Sequence, residues 1–148
     1  MVKKPFSLQP IRELAQRQSD DAAATLGRLR GAEHKTRQTL EALREYRNEY
    51  QARFEQALMN GISPGELNNY RAFLAKLDRA VEEQQSLVEQ SEARSENGLQ
   101  QWQAQSRKVK SFDVLAERED EKHRKEVSRQ EQRILDEYSS SRNGKQHD

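Results

Sequence analysis

Any catalytic or metal centre in this chain would have to be built from His34, His123, His147 and carboxylates, because no cysteine is present. The three histidines lie far apart in sequence, and none has a ligand partner at the spacings that metal sites use. The acid pairs Asp20-Asp21 and Glu82-Glu83 fall in polar stretches, with nothing nearby to build a cleft that would shift their protonation. No GxxxxGK[ST] loop, GxSxG elbow or HExxH helix occurs. These absences point away from catalysis, and no cofactor or metal is expected. The remaining chemistry is recognition, carried by apolar and aromatic side chains on otherwise polar surfaces.

One such group is the run Asn69-Tyr70-Arg71-Ala72-Phe73-Leu74-Ala75-Lys76-Leu77. Tyr70, Leu74 and Leu77 recur at the spacing of a helical seam, while Phe73 sits on a neighbouring stripe, four residues before Leu77. Phe73 reads either as an aromatic flanking a core or as an anchor for another protein. A second group is Val127, Ile134 and Tyr138, with Leu135 beside them. Homodimerisation, insertion into a partner and a merely solvated helix all remain compatible with that stripe.

The elements that position these groups follow from composition. Of 148 residues, 32% are hydrophobic and 34% charged, with net charge +1 and mean hydropathy −1.21. So polar a chain must stay disordered or bury only a narrow stripe. The near-zero net charge, three prolines and plentiful Ala, Leu, Glu, Gln, Lys and Arg favour long helices. Interleaved charge offers no nucleic-acid footprint. The start, MVKKPFSLQPIRELAQ, lacks the apolar core of a signal peptide, and no stretch reaches the ~18 apolar residues of a membrane span. The expectation is a cytoplasmic protein.

Periodicity predicts one all-α coiled-coil domain over 1–148, a long antiparallel two-helix hairpin with an overhanging C-terminal helix. Arm 1, about 9–59, places Ile11, Ala15, Ala22, Thr25, Leu29, Ala32, Leu40, Leu43, Tyr46, Tyr50, Phe54 and Leu58 along a seam. The gap from Leu29 to Leu40 reads as a stutter. A hinge at 60–65, Asn-Gly-Ile-Ser-Pro-Gly, stops the helix and caps the next through Ser63, Pro64 and Glu66. Arm 2, about 66–138, repeats from Leu67 to Ala116 with alternating steps of three and four. Its seam is polar or small between Gln84 and Gly98, a thinly packed and mobile middle. Gly27 and Gly31 mark a soft spot in arm 1. Pairing Leu58 with Leu67 makes facing residue numbers add to about 125, and at about 1.5 Å per residue the arms measure roughly 75 and 105 Å. The overhang is 118–138, and 139–148 reads as a frayed, disordered tail.

Over nearly its whole length the chain resembles the bacterial flagellar export protein family FliJ. The resemblance rests on Asp20-Asp21-Ala22-Ala23, Tyr46-Arg47-Asn48-Glu49-Tyr50, the hinge Asn60-Gly61-Ile62, and Asn69-Tyr70, Phe73 and Leu77 after it. It implies a stalk-like antiparallel coiled coil of the flagellar type III export apparatus, similar to the stalk subunit of rotary ATP synthases. Its free end, from Phe6 to Leu29 and Val109 to Tyr138, would enter the export ATPase hexamer and promote ring assembly and activity. The residues this assigns to ring contact are Ile11, Leu14, Phe112, Leu115, Val127, Ile134 and Tyr138. Phe73 and Leu77 would contact the cytoplasmic domain of the membrane export gate, and export chaperones would also bind. Membrane association would be peripheral, through partners, at the inner membrane of the flagellar base. The competing reading is a coiled-coil holdase that escorts export substrates or their chaperones.

Overall fold

A computed structural model describes residues 7–146. Two helices, α1 (Gln9–Asn60) and α2 (Pro64–Gln146), account for nearly all of them, and no strand occurs among the described residues. The chain is an all-α helical hairpin. Its packing divides into two units, one of Met1–Asp20 with Ala104–Asp148 and the other of Asp21–Gln103.

The turn obeys local chemistry. Gly61 takes φ +84°, a left-handed conformation that costs a residue without a Cβ nothing. Its N–H donates to the Leu58 carbonyl at 3.3 Å, satisfying one of the acceptors orphaned at the end of α1. Ser63 then caps α2: its Oγ accepts from the Glu66 N–H at 3.2 Å, and its carbonyl from Leu67 at 3.0 Å. Pro64 opens the helix, where its missing N–H is harmless, and Glu66 places negative charge in the first turn.

Within Asp21–Gln103 the two helices run antiparallel. Leu26, Leu40 and Phe54 of α1 and Leu74, Leu77 and Val88 of α2 are buried, together with Ser95. Arg47 bonds Asp78 at 2.8 Å, and these numbers add to 125. In the other unit Ala15, Ser19 and Ala116 are buried. There Arg12 bonds Asp113 at 2.7 Å, and this pair also adds to 125. A narrow seam of this kind is what a third of the residues being apolar can fill.

Every expected seam position of α2 from Leu67 to Ala116 is buried or half-buried. Along α1 the seam differs from the expectation. It runs Arg12, Ala15, Ser19, Ala22, Leu26, Leu29, Glu33, Thr36, Leu40, Leu43, Arg47, Tyr50, Phe54, Ala57, in unbroken steps of three and four. There is no stutter: Glu33 and Thr36 fill the gap before Leu40. Ile11, Thr25, Ala32, Tyr46 and Leu58 lie outside the seam and are exposed. The phase of a helix is set by all its inward positions together, so polar residues can be carried in and single apolar ones left out.

α2 also continues beyond Tyr138 to Gln146, where a frayed tail is expected. Ser139, Ser140 and Ser141 carry only moderate helix penalties. Extending an existing helix avoids the cost of nucleation, so the turn propagates. His147 and the last residue of the expected tail lie outside the described residues, as does Phe6.

Candidate docking surfaces

On the hinge-side helices of Asp21–Gln103, five aromatic residues pack across the seam. Tyr50 meets Tyr70 at 5.3 Å between ring centroids and Phe73 at 4.6 Å, both tilted. Phe54 meets Tyr70 at 5.2 Å, and Tyr46 stands edge-on to Phe73 at 6.3 Å. Offset and edge-to-face pairs of this kind add stability beyond buried area. Phe73 is therefore half-buried, one side packed on α1 and the other reaching the surface beside the exposed Tyr46. Leu77 stands differently: at 7% exposure it is a seam residue, its side chain packed within the hairpin. Of the two, Phe73 and its neighbour Tyr46 are what a partner can touch directly. Tyr46, expected in the seam, lies outside it beside Phe73, and its i, i+4 spacing to Tyr50 is the sequence signal for an aromatic surface there. Leu58 and Met59 leave a further exposed apolar edge at the end of α1.

In the unit containing both termini, Ile11 and Leu14 on α1 and Val114 and Leu115 on α2 are each about half exposed. They flank the seam residues Ala15 and Phe112, of which Phe112 is half-buried. Ala116 is the last buried residue of α2. Beyond it Asp120, His123 and Val127 are half-buried, and every described side chain from Ser128 onward is exposed. Val127, Ile134 and Tyr138 follow Ala116 by eleven, eighteen and twenty-two residues. At 3.6 residues per turn these are close to whole numbers of turns. The inward stripe of α2 thus carries on as an uncovered stripe, with Ile134 64% and Tyr138 67% exposed and Leu135 alongside.

Surface charge is mixed throughout. Arg37 bonds Glu33 at 2.8 Å and Glu92 at 2.6 Å, Arg44 bonds Gln85, and Lys125 lies 3.6 Å from Glu121. No group of three or more His, Cys, Asp or Glu able to hold a metal occurs among the described residues. No helix among them is long and apolar enough to cross a membrane.

The arrangement defines a class: an all-α coiled-coil hairpin whose distinctive chemistry is apolar and aromatic side chains on a polar exterior. The comparisons narrow it. The family model described as Flagellar FliJ protein matches residues 3–147, and the chain belongs to that family. It is a component of the flagellar type III export apparatus, in the class of protein transport. The Flagellar FliJ protein of Salmonella typhi is 26% identical over 133 residues, covering 90% of each chain. That of Escherichia coli (strain K12) is 24% identical, again over 90% of both. Among solved structures, a putative YscO homolog from Chlamydia trachomatis shares the fold, with TM-score 0.62 at 16% identity over 95% of this chain and 94% of that one.

Proposed function

We propose that this chain is a non-catalytic stalk that promotes assembly and turnover of the hexameric export ATPase and couples it to the membrane export gate. The observation that carries the reading is the stripe Val127, Ile134 and Tyr138, half-buried at Val127 and uncovered beyond it, which continues the inward face of α2 past its last buried residue. With Ile11, Leu14, Phe112 and Leu115 it supplies a set of modest apolar contacts on a charged helix. A subunit seated in a ring of changing conformations needs contacts that exchange. Exposed ion pairs, worth about 0–1 kcal/mol each, provide that, where one large apolar patch would hold a single ring subunit. The chain then acts by favouring one ring conformation over another, and hydrolyses nothing itself.

Phe73, with Leu77 holding the helix beneath it, is the contact to the gate's cytoplasmic domain. Export chaperones are further partners. The protein works in the cytoplasm, held at the inner membrane of the flagellar base through these partners.

The test is steady-state ATP hydrolysis by the purified cognate ATPase, with and without this protein, at ATPase concentrations around its assembly threshold. The expected result is stimulation that appears at lower ATPase concentration and saturates well below one equivalent per ATPase subunit. No stimulation with both proteins folded overturns the reading.

A further inference from the structure

The least apolar part of the seam lies in the middle of the Asp21–Gln103 unit. Register places Leu29 opposite Ser95 and Glu33 opposite Ser91, so two successive layers contain polar or small side chains in place of an apolar pair. Ser95 is 7% exposed, yet its Oγ has no hydrogen-bond partner. An unpaired buried hydroxyl is a cost a seam does not ordinarily carry. Beside it a groove of about 670 Å³ opens between Arg30, His34 and Arg37 on one helix and Glu92, Glu96 and Leu99 on the other.

Three glycines gather at the same level. A Cβ at Gly27 or Gly31 would meet nothing within 4 Å, so no packing demand explains either residue, and each lowers helix stability relative to alanine. Gly98 differs: a Cβ there would sit 2.7 Å from Leu29 Cδ1, so the helices approach closely at that point. What spans the polar layers from the side is Arg37, which bonds Glu33 on its own helix and Glu92 across the seam. Its side chain is 54% exposed, so the latch is weak and screened by salt.

We infer that residues 27–36 and 91–98 form a conformational joint, a segment that opens locally while the aromatic-packed helices on the hinge side stay closed, and that Arg37 is its electrostatic latch. Local opening is governed by how much apolar contact must be broken. Here the layers offer least, the helix is weakened by Gly27 and Gly31, and the cross-seam ties are one exposed ion pair and, at the edge of the segment, the bond that Gln84 Nε2 donates to the Thr36 carbonyl at 3.0 Å. On the hinge side, Tyr50, Phe54, Tyr70 and Phe73 with Leu74 and Leu77 give the opposite balance.

Amide hydrogen exchange of the full chain, read by mass spectrometry, tests this. Residues 27–36 and 91–98 are expected to exchange at least tenfold faster than 43–54 and 70–81. That rate should rise between 50 and 500 mM NaCl while the hinge-side segments hold. Arg37→Gln should reproduce the high-salt rate at low salt. The pair Glu33→Leu with Ser91→Leu, which makes one layer apolar, should slow both joint segments together by at least tenfold. Should that pair fold differently by circular dichroism, Gly27→Ala with Gly31→Ala provides the same test from the helix side. Protection equal to the hinge-side segments overturns the joint. Fast exchange indifferent to salt, to Arg37→Gln and to the stiffening variants overturns the latch and layer account.

Discussion

The ring of Phe73 lies 4.6 Å from that of Tyr50, centroid to centroid and tilted by 59°, so the residue proposed as a gate anchor also belongs to the packing of the hairpin. Two roles on one side chain give separable consequences. Phe73→Ala removes a half-buried ring. It is expected to cost about 1–2 kcal/mol, less than the 3–5 kcal/mol of a fully buried aromatic. At room temperature far-UV circular dichroism should be unchanged, while the melting midpoint falls by a few degrees. Phe73→Leu should restore most of the stability without restoring binding to the gate's cytoplasmic domain. Recovery of both by leucine would reduce Phe73 to packing alone.

Leu77 answers to a different measurement. Its side chain is buried in the seam, so Leu77→Ala is expected to cost about 2–4 kcal/mol from lost burial and the cavity left behind. Any loss of gate binding in that variant should track the fraction unfolded and disappear at a temperature where both proteins are fully folded. Binding that stays weak in the folded variant would make Leu77 a direct contact.

Much of this was legible in the sequence, and the illegible part has a physical reason. α2 announces its seam because Leu67, Leu74, Leu77, Val81, Val88, Trp102, Val109 and Phe112 occupy it in turn. α1 hides its seam because Arg12, Glu33, Thr36 and Arg47 hold inward positions while Ile11, Tyr46 and Leu58 sit outside. In a two-helix hairpin the side of each helix away from its partner faces water. An inward arginine can therefore bury its stem and carry its charge to the rim, as Arg47 does in reaching Asp78. Hydrophobicity alone then misplaces the phase by one position at several points. The continuation of α2 to Gln146 was equally hidden, since composition there favours fraying and only the preceding helix sustains it.

The hinge glycine is required by conformation and not by space. A Cβ at Gly61 would meet nothing within 4 Å, but the residue holds φ +84°. Gly61→Ala is expected to destabilise by about 1 kcal/mol, the cost of a left-handed alanine. Gly65→Ala, in the first turn of α2 with only Ser63 Oγ at 3.9 Å, should be neutral or slightly stabilising. Thermal melts of the two variants side by side check the contrast, and equal midpoints would remove the conformational argument.

The ion pairs across the seam set register more than stability. Arg47 and Asp78 have side chains 36% and 52% exposed. A double-mutant cycle with Arg47→Ala and Asp78→Ala is expected to give a coupling below about 1 kcal/mol, fading in 0.5 M salt. A coupling of several kcal/mol that persists in salt would mean the pair is desolvated in solution.

The terminal stripe separates binding from folding most cleanly. Ile134 and Tyr138 touch nothing that would bury them, at 64% and 67% exposure. The pair Ile134→Ala with Tyr138→Ala should therefore leave the unfolding free energy within about 0.5 kcal/mol of the parent. If the stripe meets the ATPase ring, the same variant needs a several-fold higher concentration to reach half-maximal stimulation of hydrolysis. Val127→Ala, about two to three turns nearer the packed hairpin and half-buried, should show both a small stability loss and a similar shift. In the Ile134/Tyr138 variant the shift is the decisive quantity, because helix content and stability are expected to stay constant while it moves. Undiminished stimulation by the Ile134/Tyr138 variant would transfer the ring contact to Ile11, Leu14 and Leu115, where alanine substitutions then become the informative set.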